Sequence, residues 1–366
     1  MKFYPSRYLE AVKEMDFSGI ECNLAFSGIH TPFSLAELGV TSRALEAVGR
    51  HNYGSVEFKQ QLGQWYGVSA DQVLVPGGGT SLCNYLIISV LAGPVSKILI
   101  ENPVYEPLRA VAASTGAKLE ILDRKVENNY DIDLDRFDAL MDETVDLVIV
   151  TRLHNPSGKD VSEAALLHLA EKAEEFNSHI LVDEVYLDFL PEDHRKPAAS
   201  LHNRLVSVNS LTKVYGFGDL RSGWAIGPEE LIWECWRFNN LLSAVPPVIP
   251  EAIALELMRN GGMERAGAWA RRRARENLDL VSDWMNQHER LTWVEPDAGV
   301  IGAVQIRGLD DSGPFLKLLW ERFKTAVMPG REFGIPDGFR MGFGEDSTEV
   351  REGLRRIDLA LSEYNS

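Results

Sequence analysis

Cysteine is scarce in this chain. Its 366 residues include three, Cys22, Cys83 and Cys235, which are far apart and odd in number. That spacing excludes a disulfide framework and a thiolate metal cluster, so no metal site is expected and a reducing cytoplasm fits best. Positive charge is also short: 37 Lys and Arg stand against 54 Asp and Glu, a net charge of −17 at pH 7. A polyanion would meet a repulsive average field, so no nucleic-acid partner is expected. Long apolar runs are missing too. The most apolar stretch, Leu82 to Gly93, contains Asn84 and Ser89 and falls short of the ~20 residues that span a bilayer, so it reads as a buried helix and no membrane partner is expected. Met1 to Asp16 alternates charged and apolar residues and lacks the continuous apolar core of a signal peptide.

What is present suits a sizeable core. Hydrophobic residues make up 45% of the chain, enough for two domains or for one large domain with an appendage. Between Val73 and Gly227, short β-branched runs alternate with longer helical stretches, the pattern of βαβ units around a mostly parallel sheet. Seven strands are expected, at Val73–Val75, Lys97–Ile100, Lys118–Leu122, Asp146–Val150, His179–Val182, Leu205–Val208 and Trp224–Ile226. Between them Ser162 is placed to cap a helix whose Leu166, Leu169, Ala170 and Ala173 share one face. Pro246, Pro247 and Pro250 mark a break, after which long helical patterns follow, including Met263 to His288 and a last amphipathic helix after Ser347. The expected fold is therefore α/β: a large domain over residues 45–250 with a seven-stranded sheet flanked by helices, and a smaller α+β domain from residues 1–44 and 251–366. The arginines 271, 272, 273 and 275 read as a solvated helix face.

Polar residues cluster where these strands end. Gly77-Gly78-Gly79-Thr80 follows Val75, Asn155 follows Val150, Asp183 follows Val182, and Ser210-Leu-Thr-Lys213 follows Val208. Ligands of open α/β sheets gather beyond the carboxyl ends of the strands, so these residues converge on one rim. Lys213 lies three residues after Ser210 and eight before Arg221, in a glycine-punctuated turn. A lysine that attacks a carbonyl must be unprotonated, and burial or a neighbouring cation provides for that. In this reading Ser210 and Arg221 bind a phosphate while Lys213 bonds to the aldehyde attached to it. A lysine near an arginine is more often a solvated surface pair, and a glycine turn after a strand is common; it is their joint occurrence that favours the site. Neither a dinucleotide fingerprint nor a Walker loop is present.

These ordered segments resemble the pyridoxal-phosphate enzymes of the aspartate aminotransferase superfamily, the fold type I group of class I/II aminotransferases, over nearly the whole length from about Gly28. The resemblance implies pyridoxal 5′-phosphate as cofactor, held as a Schiff base on Lys213. It implies Gly78, Gly79, Thr80, Ser210 and Arg221 at the phosphate, Tyr105 of Pro103-Val-Tyr105 stacked on the pyridine, and Asn155 of Asn155-Pro156-Ser157-Gly158 at the phenolic oxygen. Asp183 of Asp183-Glu184-Val185-Tyr186 would hold the pyridine nitrogen protonated, and a lone buried carboxylate would otherwise be costly. Tyr186 would reach the phenolic oxygen, while Gly28 and Arg340 would hold the substrate carboxylate. Tyr53 would cross a homodimer interface to the neighbouring subunit's phosphate, giving shared active sites. Two departures stand out: Arg152-Leu153 replaces the first half of the family's repeated Asn-Pro motif, and Asp219 occupies a turn position commonly held by glycine, which Asp can fill in a left-handed conformation.

The activity implied is transfer of an amino group between an α-amino acid and a 2-oxo acid by ping-pong kinetics. A carbon–sulfur lyase, decarboxylase or cyclising enzyme of the same fold is the alternative, because these share the cofactor grip. A cofactor-sensing regulatory domain fused to a DNA reader is remote, since the motifs begin by Gly28 and the chain is acidic. Side-chain selectivity, near Gly28, Phe33, Leu241 and Arg331, is left open. Arg331 reads as an ordinary surface arginine, with a second carboxylate site as the other reading.

Overall fold

A strand near the N-terminus, β1 (Cys22–Leu24), is separated by more than 250 residues from the sheet it joins. The computed structural model describes residues 4–46 and 51–364. After β1 come the seven strands expected from the sequence: β2 (Val73–Leu74), β3 (Lys97–Asn102), β4 (Lys118–Asp123), β5 (Val145–Thr151), β6 (His179–Asp183), β7 (Leu205–Ser210) and β8 (Gly223–Ile226). They form one sheet in the order β2-β8-β7-β6-β5-β3-β4. All pairings are parallel except those of β8, which runs antiparallel to β2 and β7.

Both faces of this sheet are covered, which explains why its central strands read as unbroken apolar runs. Alternate residues go to opposite cores: Ile98, Ile100, Leu147, Ile149 and Leu181 face one, and Leu99, Val148, Val150, Ile180 and Val182 face the other. The helix Glu163–Glu175 closes the second face, with the Ser162 hydroxyl accepting from Ala165 N and Leu166, Leu169, Ala170 and Ala173 buried. Each buried leucine contributes ~1.5–3 kcal/mol. On the first face, Thr80–Leu91 carries Cys83, Leu86, Ile87 and Ile88 into the core; the apolar stretch is the buried helix that was expected. No helix among the described residues is long and apolar enough to cross a membrane.

The remaining strands, β9 (Leu291–Trp293), β10 (Ile301–Ile306), β11 (Thr325–Pro329) and β12 (Gly338–Gly342), build a second sheet in the order β1-β11-β12-β10-β9. Here β1 pairs in parallel with β11, Cys22 opposite Thr325, so the N-terminal segment and the C-terminal part form one layer. The last helix, Ser347–Tyr364, buries Val350, Leu354, Ile357 and Leu361. The long helix runs from Gly262 to Met285.

Its arginines are only partly a solvated face. Arg272 and Arg275 are exposed, but Arg273 reaches Asp346 at 2.8 Å. Arg271 bonds Glu264 at 2.8 Å and the Asp188 carbonyl at 3.2 Å. A guanidinium long enough to reach a neighbouring carboxylate buries its stem on the way.

Candidate active site

The sheet ends put the polar residues where ligands of such sheets bind. Thr151, Asp183 and Ser210 are the last residues of β5, β6 and β7, one residue or more beyond the strand ends expected from the sequence. Asp183 is buried, and its carboxylate accepts from Asn84 Nδ2 at 3.0 Å and from Val185 N at 3.3 Å. Among the described residues no lysine or arginine pairs with it. Burial therefore lifts its pKa above the usual carboxylate range, while Asn84, Val185 N and the charge of Lys213 pull the other way. Its neighbour Glu184 faces elsewhere and meets Arg152 at 3.4 Å.

Lys213 sits half-buried in the cleft, with Nζ donating to Ser27 Oγ at 2.8 Å. Burial lowers its pKa to about 8, helped by the cations of Arg340 and Arg221 and opposed by Asp183. An amine so placed keeps a neutral fraction of about a tenth to a fifth near physiological pH, far more than an ordinary lysine. The loop after β1 lies against it, with Ile29 N donating to Lys213 O at 3.1 Å. A Cβ on Gly28 would stand 3.4 Å from that same carbonyl.

The glycine loop and Arg221 are built as one piece. Gly77, Gly78 and Gly79 have φ of +78°, +69° and +70°, values that admit glycine far more readily than other residues. They lead into the positive end of Thr80–Leu91. Gly79 N donates to Arg221 O at 2.8 Å, and Arg221 Nη2 returns a bond to Gly78 O at 2.9 Å. A Cβ on Gly79 would lie 2.7 Å from that Nη2, so the absence of a side chain lets the guanidinium close over the loop. Ser210 is fully buried beside them, its N bonded to Asn209 Oδ1 at 2.7 Å and its Oγ accepting from Thr212 N at 3.2 Å. Asp219 does not need the left-handed conformation expected of it. The positive-φ residues in that turn are Gly216, at +77°, and Arg221 itself, at +50°, and Asp219 lies in the short 3-10 turn before Arg221.

Arg340 is almost fully buried on β12. Its Nη1 donates to Asn155 Oδ1 at 3.3 Å and its Nη2 to Ala25 O at 2.9 Å, while Nε has no partner. The guanidinium also lies 5.0 Å from the Phe333 ring centre. Tyr186 is buried, donates its hydroxyl to Ser27 O at 2.9 Å, and has its phenol pKa pushed up to about 12, chiefly by burial. Tyr105 packs edge-on against Tyr8 with ring centres 5.4 Å apart, and burial raises its phenol pKa strongly. Arg152 is buried too, bonded to Asp160 at 3.0 Å, to Glu184, and to two backbone carbonyls, while Leu153 takes a φ of +54°. The departure from the Asn-Pro motif thus places a salt-bridged arginine beneath the Asn155 turn.

Tyr53 stands apart from this group. It is 38% exposed, and its ring lies 5.0 Å from Trp233 and 5.9 Å from Trp236. Arg331 is exposed and pairs with Glu332 at 3.4 Å. Sequence reasoning missed Ser27 and Asn84. Asn84 carried a signal, since it lies four residues after Thr80 and shares its helix face; Ser27 carried only its position beside Gly28.

Known proteins match this arrangement. The family described as aminotransferase class I and II matches residues 36–357. The chain belongs to this aminotransferase family. Family members are pyridoxal-phosphate-dependent enzymes, and the protein is a transferase of that kind. Arginine–pyruvate transaminase AruH of Pseudomonas aeruginosa is 27% identical over 354 residues, 91% of this chain and 87% of its own. Capreomycidine synthase of Streptomyces vinaceus is 29% identical over 300 residues, 80% of this chain and 75% of its own. Among solved structures, a PLP-dependent aminotransferase from Streptococcus suis has a TM-score of 0.91 at 22% identity over all of both chains, a likeness of fold. The PLP-dependent cyclase OrfR has a TM-score of 0.87 at 27% identity, over all of this chain and 98% of its own.

The residues present fit that cofactor. A buried carboxylate without a cation suits a protonated ring nitrogen, a depressed lysine suits an aldehyde, and a side-chain-free loop under an arginine suits a phosphate.

Proposed function

We propose that this aminotransferase uses Lys213 to hold the cofactor covalently and to move the substrate's proton, with an α-amino acid as donor and a 2-oxo acid as acceptor in two half-reactions. The observation that carries the reading is the half-buried Lys213 amine, with its pKa lowered to about 8, within electrostatic reach of the buried Asp183, which has no lysine or arginine partner among the described residues. When bound, the cofactor supplies an electron sink for the pair left behind as the α-carbon loses its proton. Asp183 keeps the ring nitrogen protonated. Arg340 and the Gly28 backbone hold the α-carboxylate, and Nζ of Lys213, once free, takes the α-proton and returns it one carbon along. Gly78, Gly79, Thr80, Ser210 and Arg221 take the phosphate, Asn155 and Tyr186 the phenolic oxygen, and Tyr105 a face of the ring.

Tyr53 serves a partner subunit in this reading. Its ring lies against Trp233, and both are exposed apolar side chains, which suits burial in a homodimer. Light scattering on the purified protein tests this, and a monomer would remove Tyr53 from the site. The three buried free cysteines suit the cytoplasm. Residues 45–250 are taken as the large domain, with the N-terminal segment joined to 251–366.

The protein should be yellow, and borohydride should bleach it by fixing the cofactor to Lys213. A Lys213→Ala protein that turns over amino acids normally would refute the assignment. Arginine and aspartate belong first in the donor screen, given the relatives' substrates. Cyclisation is the second reading, favoured by the two cyclising relatives. Product analysis separates the two: a new amino acid plus a 2-oxo acid, against a ring-closed product.

A further inference from the structure

One residue touches both the lysine and the phenol of the site. Ser27 Oγ accepts a hydrogen bond from Lys213 Nζ at 2.8 Å, and Ser27 O accepts one from Tyr186 at 2.9 Å. The serine is 7% exposed, and its loop is held from both sides. Ile29 N is bonded to Lys213 O. Across the loop, a Cβ on Gly342 would stand 1.8 Å from Phe26 O, and one on Gly344 1.9 Å from Gly28 O. The backbone that carries the hydroxyl is therefore held in place, one rotatable bond from the oxygen, whereas the amine it meets ends a four-carbon stem with many rotamers.

We propose that Ser27 is a positioning residue for the reaction, whose hydroxyl holds the Lys213 amine while that amine is not bonded to cofactor and restricts the direction of its lone pair for the proton transfer. A neutral amine has one lone pair, so giving an N–H to the Ser27 oxygen restricts the rotation about Cε–Nζ and leaves the pair two directions instead of three. The acceptor's chemistry matters as well. A carboxylate there would draw the amine back toward its charged form, while a neutral hydroxyl orients it with a much weaker pull. The charges facing Nζ are otherwise Arg340 and Arg221, which disfavour its ammonium, and Asp183, which favours it. Orientation of a reacting group within hydrogen-bond reach is what general base catalysis needs.

The test has two arms. In cofactor-free protein, Lys213 is acetylated competitively across a pH series and quantified by peptide mass spectrometry. Since Ser27 accepts from Nζ, its loss in Ser27→Ala should lower the titration midpoint of Lys213. In holoenzyme, exchange of the donor's α-hydrogen into deuterated water should slow about tenfold in Ser27→Ala, the size expected for losing one orienting hydrogen bond. Ser27→Thr, which keeps the hydroxyl, should restore both. A Ser27→Ala protein with wild-type midpoint and exchange, or a Ser27→Thr protein as slow as the alanine variant, overturns the proposal. Only the exchange arm rests on the aminotransferase reading. If wild-type protein exchanges no α-hydrogen that reading fails, whereas active wild-type with an equally active Ser27→Ala defeats the role of Ser27.

Discussion

Gly79→Ala tests the proposed phosphate cradle at its tightest point. Gly79 has φ +70° and ψ −162°, a region open essentially to glycine alone, so a side chain there costs ~1–3 kcal/mol in strain. The added carbon would also lie 2.7 Å from Arg221 Nη2 and 3.1 Å from its Cζ, so the guanidinium must leave its bonds to Gly78 O and Gly218 O. Because Arg221 is exposed, those bonds are discounted to ~1–2 kcal/mol together. The strain weakens the fold with or without cofactor, but displacement of Arg221 falls on the cofactor itself. The charged hydrogen bond that Arg221 would give the phosphate is of similar size, ~1–2 kcal/mol at an exposed site, so its loss should raise cofactor Kd about 5- to 30-fold, at about 1.4 kcal/mol per decade. Titration of cofactor-free protein, followed by absorbance, measures this, and a thermal melt of the same sample measures the strain. Gly67→Ala is the control: its φ is +71° with nothing within 4 Å of the added carbon, so it should lower the melt by the equivalent of ~1 kcal/mol and leave Kd unchanged. If Gly79→Ala binds cofactor as well as Gly67→Ala does, Arg221 and the glycine loop do not hold the phosphate.

Three further outcomes follow from the same geometry. Lys213 loses its proton at about 8, below the ordinary lysine value, so the neutral nucleophile grows as pH rises. Cofactor loading should therefore accelerate roughly tenfold per pH unit below that point and level off above it, and a flat profile from about pH 6 to about pH 9 would contradict the assignment. Arg340→Lys replaces a fork of donors by a point charge, so KM for amino donors should rise roughly 10- to 100-fold with a smaller change in kcat, as steady-state kinetics would show. Arg152→Ala leaves Glu184 at 0% exposure with no cation, a loss of about 3–5 kcal/mol; denaturant titration should show it, and adding Glu184→Gln should recover part.

The large sheet was legible because its central strands are buried on both faces. Runs such as Val148-Ile149-Val150 and Ile180-Leu181-Val182 admit no polar residue until the strand ends, so the first polar residue after each run marks the rim. That is why Asp183, the first polar residue after Val182, is legible in the sequence, whereas Ser210, behind Ser207 and Asn209, is legible only by its spacing from Lys213; both are the final residue of their strand. Residues that use side-chain reach across the fold were less legible. The Arg271 and Arg273 partners lie on other elements, and only a fold brings Asp346 within 2.8 Å of position 273. That Arg221 takes a left-handed conformation in the Lys213 turn was not legible for a related reason. Conformational tolerance points to Asp, but Arg221 is held at positive φ by bonds to Gly78, Gly79 and Gly218 that outweigh its own preference.

Ser27 and Asn84 show where reading by residue type stops. Both are short neutral polar residues, the kind found at caps and turns throughout any chain, and neither carries a charge whose burial would demand an explanation. Asp183 demanded one, and so pointed to a cation that the chain does not supply. Asn84 then follows from it. An ionised carboxylate at 5% exposure needs donors, and the helix that begins at Thr80 presents an amide 3.0 Å away. Ser27 follows from Lys213 in the same way, since a buried amine that must be neutral to react and charged to shuttle a proton is best met by a partner that accepts in both states. The charged residues of such a site can thus be read from sequence by the cost of burying them. Their neutral partners are chosen by direction, and direction exists only once β1 has been laid beside β11 and its loop carried across the end of the large sheet.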